Sequence, residues 1–268
     1  YLLSSTEKKQ RVALIGQIKE KGYEQVIEEV AYTWFNRFSA LRFMEVNGYL
    51  PTRVRVFTDE NNAFKPQILT EAIHMELDGL DMEKVYAYKD ANDNDELYKY
   101  LLITQCNALN SVLPGMFQKI ADYTELLFPD NLLREGSVIE QMISKIPEDN
   151  FDITSENGQL EIIGWLYQYY ISERHEEVVN INNKGAVKKE DIPAATQLFT
   201  TDWVVRYIVD NSLGRYWIER SPNSHLPEQL EYYIASEVTE ENEPIRPEEI
   251  TFFDPCIGSG HFAIYAFD

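Results

Sequence analysis

The sequence predicts a mainly α-helical first region followed by the opening of an α/β domain. Three observations predict it: apolar residues at three- and four-residue steps over 24–47, a polar junction at 176–190, and a β-branched and aromatic run at 250–253 leading into an acidic residue and a Gly-x-Gly turn. On this reading residues 1–175 form the helical domain, 176–190 a linker, and 191–268 the beginning of the second domain.

Residues 24–47 place Ile27, Val30, Ala31, Trp34, Phe38 and Leu41 on one helical face, and Gly48 and Pro51 supply the stop. Arg37 and Arg42 interrupt this aromatic stretch; they could meet phosphate, but arginines beside a core more often pair with acids. Residues 53–57 alternate like an edge strand or an extended loop. Further helices are predicted at 71–77, 96–113, 116–127 and 137–146, divided by the loop Asn92-Asp93-Asn94-Asp95 and by Pro114, Pro129 and Pro147. Residues 161–173 are apolar nearly all round and predict a helix central to the core. Past the junction, 201–216 predict a helix with Thr201 at its N-cap and Val204, Val205, Ile208, Val209 and Leu213 on its buried face. Residues 227–250 carry eight acids against the single base Arg246 and predict an exposed, partly irregular stretch.

With 268 residues, 44% apolar and 26% charged, the chain has a globular composition, which excludes a wholly disordered or fibrous protein. No apolar run approaches the ~20 residues that cross a bilayer, so no membrane association is expected. Cys106 and Cys256 lack both C-x-x-C and zinc-type spacing, excluding a disulfide framework and fitting a reducing cytoplasm. His74, His175, His225 and His261 show no ligand-pair spacing, so no metal site is expected, and each is read as a surface or core residue. The opening residues show neither an initiator Met nor a signal core and predict an internal start. A net charge of −21 argues against broad nonspecific nucleic-acid binding, so any DNA contact must be local or lie elsewhere.

The chemistry concentrates at Asp254-Pro255-Cys256-Ile257-Gly258-Ser259-Gly260-His261-Phe262. A buried strand over 250–253 would lead into a turn whose glycines let the backbone approach a ligand, with Asp254 at the strand tip as acceptor for a cationic or hydroxyl group. No Gly-Lys-Ser/Thr follows and the full G-x-G-x-x-G is missing, so phosphate binding is disfavoured. Cys256 is a small loop residue with no base nearby in sequence. The Asp-Pro-x-x-Gly-x-Gly string after a strand resembles motif I of adenine-type DNA methyltransferases, whose loop holds the methionine end of S-adenosylmethionine (SAM).

A second block, Ala195-Thr196-Gln197-Leu198-Phe199-Thr200-Thr201-Asp202-Trp203, resembles motif X of the same enzymes, with Thr201 where that family usually has proline. Together with Ala31-Tyr32-Thr33-Trp34-Phe35-Asn36-Arg37 and Gly164-Trp165-Leu166-Tyr167-Gln168-Tyr169-Tyr170, these blocks resemble the PglX family, the adenine-specific methyltransferases of BREX phage-defence systems. The resemblance implies a Rossmann-like domain of which only the start is present. It also implies SAM as cofactor and methylation of adenine N6 in double-stranded DNA at a specific site, with other BREX proteins as candidate partners. By that resemblance Phe199, Thr200, Thr201, Asp254, Pro255, Gly258 and Gly260 would contact SAM. The family's Asn-Pro-Pro-Tyr motif, which positions the flipped base, does not occur in the chain, so no catalytic residue is expected here and the chain alone is expected to be inactive. A nuclease signature is not present, since the only Glu-x-Lys is Glu7-Lys8-Lys9. Two other readings remain open at this point: a SAM-dependent enzyme acting on RNA or protein, and a noncatalytic acidic helical module that docks protein partners.

Overall fold

A computed structural model describes residues 4–118, 123–155, 162–179, 186–196, 199–221, 223–235, 243–258 and 260–268. The chain divides into two compact units, Tyr1–Ile163 and Gly164–Asp268.

The first unit opens with α1 (Ser5–Lys21), a helix for which the sequence carries a signal at its start: Ser4 accepts from the Glu7 N–H while Glu7 reaches back to the Ser4 N–H. Helix α2 (Tyr23–Val46) matches the predicted long helix and ends before Gly48, whose φ of 66° is left-handed. The predicted helix at 71–77 is displaced to α3 (Gln67–Glu71), and 72–77 turn. Then come α4 (Met82–Asp90), not anticipated, and α5 (Asn94–Leu109), both capped by aspartates, Asp81 and Asp93. Of the predicted helix at 116–127, α6 (Tyr123–Leu126) is seen and 119–122 lie outside the described residues. Helix α7 (Val138–Lys145) follows with Ser137 as cap.

Helix α1 packs on α2 and α6, and α3 and α4 pack on α5. Around α2 the core is aromatic, with Trp34 edge-on to Phe128 at 4.4 Å and Phe38 edge-on to Phe57 at 6.0 Å. Residues 53–57 form a loop, bent at Val56 and Phe57, rather than a strand, and Glu45 of α2 supplies the acceptors a sheet neighbour would: its Oε2 receives both the Val56 and Phe57 N–H groups at 2.6 Å. Arg42 pairs with Glu45 at 2.6 Å and also reaches Asn62 and Glu148, while Arg37 donates to the Gln118 carbonyl. Both arginines are buried, and the acid-pairing alternative holds for Arg42.

The second unit takes most of α8 (Ile162–Val179). This helix runs longer than predicted and is not central to a core: Tyr169 is 73% exposed and most of its apolar side chains are half-buried. An apolar surface all round a helix gives no direction for burial, and these aromatics lie partly at the surface. Of the expected linker, residues 180–185 lie outside the described residues. Helices α9 (Ile192–Thr196) and α10 (Asp202–Val209) come next, and α10 runs through a wide π-type turn at Asp210–Gly214 into α11 (Arg215–Ile218). On α10, Val205 and Val209 are buried as predicted, but Ile208 is 45% exposed. The last helix is α12 (His261–Phe267), which packs on α10.

The strand expected over 250–253 is not formed, and no strand occurs among the described residues. Residues 250–254 are irregular, and Phe253 is 85% exposed rather than buried. A strand needs a neighbour to receive its N–H and C=O groups, and the described residues provide none.

Candidate functional site

The glycine loop is shaped by its own backbone. Asp254 Oδ1 accepts from the Cys256 N–H at 2.8 Å, an Asx turn, and the Gly260 N–H donates to the Ile257 carbonyl at 2.7 Å. Gly258 and Gly260 stand at φ of 52° and 83°, left-handed values that disfavour any side chain, and Gly260 is the N-cap of α12. Where Gly260 would carry a Cβ, no atom lies within 4 Å. Pro255, Cys256 and Gly258 are exposed, so the loop presents bare backbone to open space. Asp254, read from sequence as a ligand acceptor at a strand tip, acts here first as the residue that bends the loop.

The upstream block is seated by α8. The Phe199 N–H donates to Gln168 Oε1 at 3.1 Å, and the Phe199 ring lies 4.6 Å from that of Trp165. A Cβ on Gly164 would sit 2.1 Å from the Phe199 ring, so the ring fills the space that this glycine leaves. Thr201 occupies the N-cap of α10, as the sequence predicts, but its side chain makes no capping bond. Its φ of −64° is a value that a proline ring would also adopt. Gln197 and Leu198 of this block, and Ser259 of the loop, lie outside the described residues.

The two blocks meet at His261, the residue after Gly260. Its ring stacks on Phe199 at 5.1 Å and 13°, and its Nδ1 donates to the Thr200 carbonyl at 3.1 Å. One turn further along α12, Tyr265 donates from its hydroxyl to Asp210 Oδ1 at 2.9 Å. Burial, and then that bond to the Asp210 carboxylate, pushes the Tyr265 phenol up to about 12. Asp210, fully buried, also accepts from the Tyr232 N–H at 3.0 Å, while Asn211 exchanges hydrogen bonds with Tyr232 and Ile234. The wide turn thus ties the 231–234 segment and α12 to one carboxylate.

Of the predicted site residues, Phe199 and Thr200 are brought against α12 directly behind Gly260. Among the described residues the bonds joining the two blocks run through His261 rather than through Asp254, Pro255 or Gly258. Gly164, Asp210, His261 and Tyr265 were not singled out as site residues. The available signal was the four-residue spacing of Asp202, Arg206 and Asp210 against that of His261 and Tyr265.

Among the described residues no group of three His, Cys, Asp or Glu side chains is gathered as a metal site would require, and no helix is long and apolar enough to cross a membrane. A cleft of about 480 Å³ opens elsewhere, in the first unit, where Asp81, Lys84, Lys99 and Glu125 line it with charges of both signs.

No family model matches the chain. It is 38% identical over 293 aligned positions to the adenine-specific methyltransferase BrxX of Escherichia coli O9:H4 (strain HS), an alignment covering 100% of this chain. It is 44% identical over 269 positions to the adenine-specific methyltransferase PglX of Lacticaseibacillus casei (strain Zhang), covering 91% of this chain. The chain is a homologue of both and spans 22% of the length of each.

Proposed function

We propose that this chain, a homologue of adenine-specific methyltransferases, is the part of such an enzyme that begins its SAM site, and that the intact protein methylates adenine N6 in double-stranded DNA. The observation that carries the reading is the meeting of the Phe199–Thr200 turn with the glycine loop at His261, beside left-handed backbone at exposed Gly258 and half-buried Gly260. That arrangement fits a flexible, charged ligand: glycine backbone admits close approach, and open space lies where a side chain would stand.

In this reading Asp254, Pro255, Gly258 and Gly260 form one wall of the site and Phe199, Thr200 and Thr201 the other, in a Rossmann-like domain beginning near residue 191. SAM, when bound, supplies an electrophilic methyl group. The task of these residues is to hold the ligand in one orientation and keep its reactive end accessible, because methyl transfer depends chiefly on alignment. The base-positioning motif and DNA recognition belong to the rest of the intact protein. A net charge of −21 makes DNA contact by this portion local at most. A place within a BREX-type defence system, in the cytoplasm and among its partner proteins, follows from the PglX resemblance.

The test is to incubate the intact protein with double-stranded DNA and methyl-labelled SAM and digest the DNA to nucleosides. Label in N6-methyl-2′-deoxyadenosine, lost in Asp254→Ala, is the expected result. Label in RNA or protein alone would replace the acceptor, and no label in any of them would favour the acidic docking module.

A further inference from the structure

Helices α10 and α12 face each other through polar side chains. Asp202, Arg206 and Asp210 stand at four-residue intervals along α10 and its wide continuation, and His261 and Tyr265 do so on α12. Asp202 Oδ1 lies 3.6 Å from His261 Nε2, the Arg206 guanidinium sits 5.4 Å from the Tyr265 ring centre, and Asp210 takes the Tyr265 hydroxyl. Such a seam sets register, because sliding by one turn would misplace every partner at once.

His261 stands at the end of the seam that adjoins the glycine loop, and it is 6% exposed. The Thr200 carbonyl can only accept, so Nδ1 carries the proton of this contact. On its other side the Phe199 ring is confined by Trp165 and by the seat at Gly164. The face covered by His261 is therefore the one on which the turn can yield.

We propose that His261 is a positioning residue for the SAM site, holding the Phe199–Thr200 turn against the glycine loop so that both walls are in place before the ligand arrives. The proposal rests on the SAM reading and adds to it the group that joins its two walls. His261→Ala removes both the stacking surface and the donor to Thr200, and the ligand must then order the turn itself. Ordering of that kind is expected to weaken affinity roughly tenfold, about 1.4 kcal/mol. His261→Asn returns an amide donor close to where imidazole Nδ1 stands, without the stack. Tyr265→Phe serves as control, since it loosens the same helix at Asp210 and leaves the Thr200 contact alone.

The experiment is calorimetric titration of SAM into the intact protein that contains this chain and into these three variants of it, with the melting temperature of each recorded. The expected result is affinity weakened about tenfold in His261→Ala, largely restored in His261→Asn, and little changed in Tyr265→Phe despite a lower melting temperature. Equal affinity in the unaltered protein and His261→Ala would overturn the assignment. So would a loss in Tyr265→Phe as large as that in His261→Ala, since His261 would then be only a helix anchor. If His261→Ala does not fold, the comparison of His261→Asn with Tyr265→Phe decides on the same terms. No binding by the unaltered intact protein would overturn the SAM reading, and this assignment with it, an outcome distinct from the other two.

Discussion

In the first unit charge lies inside: the Arg42 and Glu45 side chains are fully buried, ringed by Thr58, Asn62 and an aromatic core. In the second, apolar groups stand outside, with Phe253 at 85% and Phe267 at 91% exposure, while the features fixing its shape are left-handed glycines and the polar α10–α12 seam. The first unit gets its order from enclosure, where a hydrogen bond without competing water holds tightly. The second gets its order from local geometry, which leaves the backbone of the glycine loop exposed. The difference is that between an enclosed core and an open surface, and regions with few buried contacts open first.

The contrast can be broken most severely at Glu45. It accepts from Arg42, Thr58 and the Val56 and Phe57 N–H groups, so Glu45→Ala leaves a buried guanidinium without its closest counter-charge. A loss of about 3–5 kcal/mol is expected, read by thermal or denaturant unfolding, and a loss below about 1 kcal/mol would show that enclosure does not hold this unit together. In the second unit Gly164→Ala drives a methyl into the Phe199 ring. It should cost about 1–3 kcal/mol and displace the turn, visible as an altered Trp165 environment in near-ultraviolet circular dichroism. Gly260→Ala forces a side chain into left-handed backbone at φ 83° and should cost about 1–2 kcal/mol, with the strain confined to the loop.

Titration separates the units more gently. Tyr265 holds its proton to about pH 12 when folded against an ordinary value of 10.0, so its contribution is complete below pH 10 and fades as the pH rises from there towards 12. Phenolate absorbance should show one tyrosine fewer titrating late in Tyr265→Phe. Burial pushes the Cys106 thiol up to about 12, whereas Cys256 is exposed, so a thiol reagent at neutral pH should label Cys256 at once and Cys106 only on unfolding. The smallest effect is expected from Thr201→Pro: with φ already at −64°, a gain of about 0.4–1 kcal/mol in melting experiments would match the turn described.

Helix α2 was legible because Val30, Trp34, Phe38 and Leu41 repeat at the helical period and Gly48 ends the pattern. The glycine loop was legible because Gly258 and Gly260 adopt conformations that other residues resist. What escaped depended on partners distant in sequence. At 53–57 the alternation left edge strand and loop both open, and the loop holds because Glu45 satisfies its backbone from a helix. The run at 250–253 has strand composition, but composition cannot supply a neighbouring strand. His261 looked like one more scattered histidine, and only the fold sets it 61 residues along the chain from Thr200 and in contact with it.

The most direct test of the central claim is a nuclear magnetic resonance titration of the isotope-labelled chain with SAM. The account predicts that the amides of Thr200, Thr201, Gly258 and Gly260 shift together, with those of Gly48 and Gly79 in the first unit unchanged. Shifts confined to the charged cleft of the first unit, or at Gly258 and Gly260 without Thr200 and Thr201, would contradict a two-walled site.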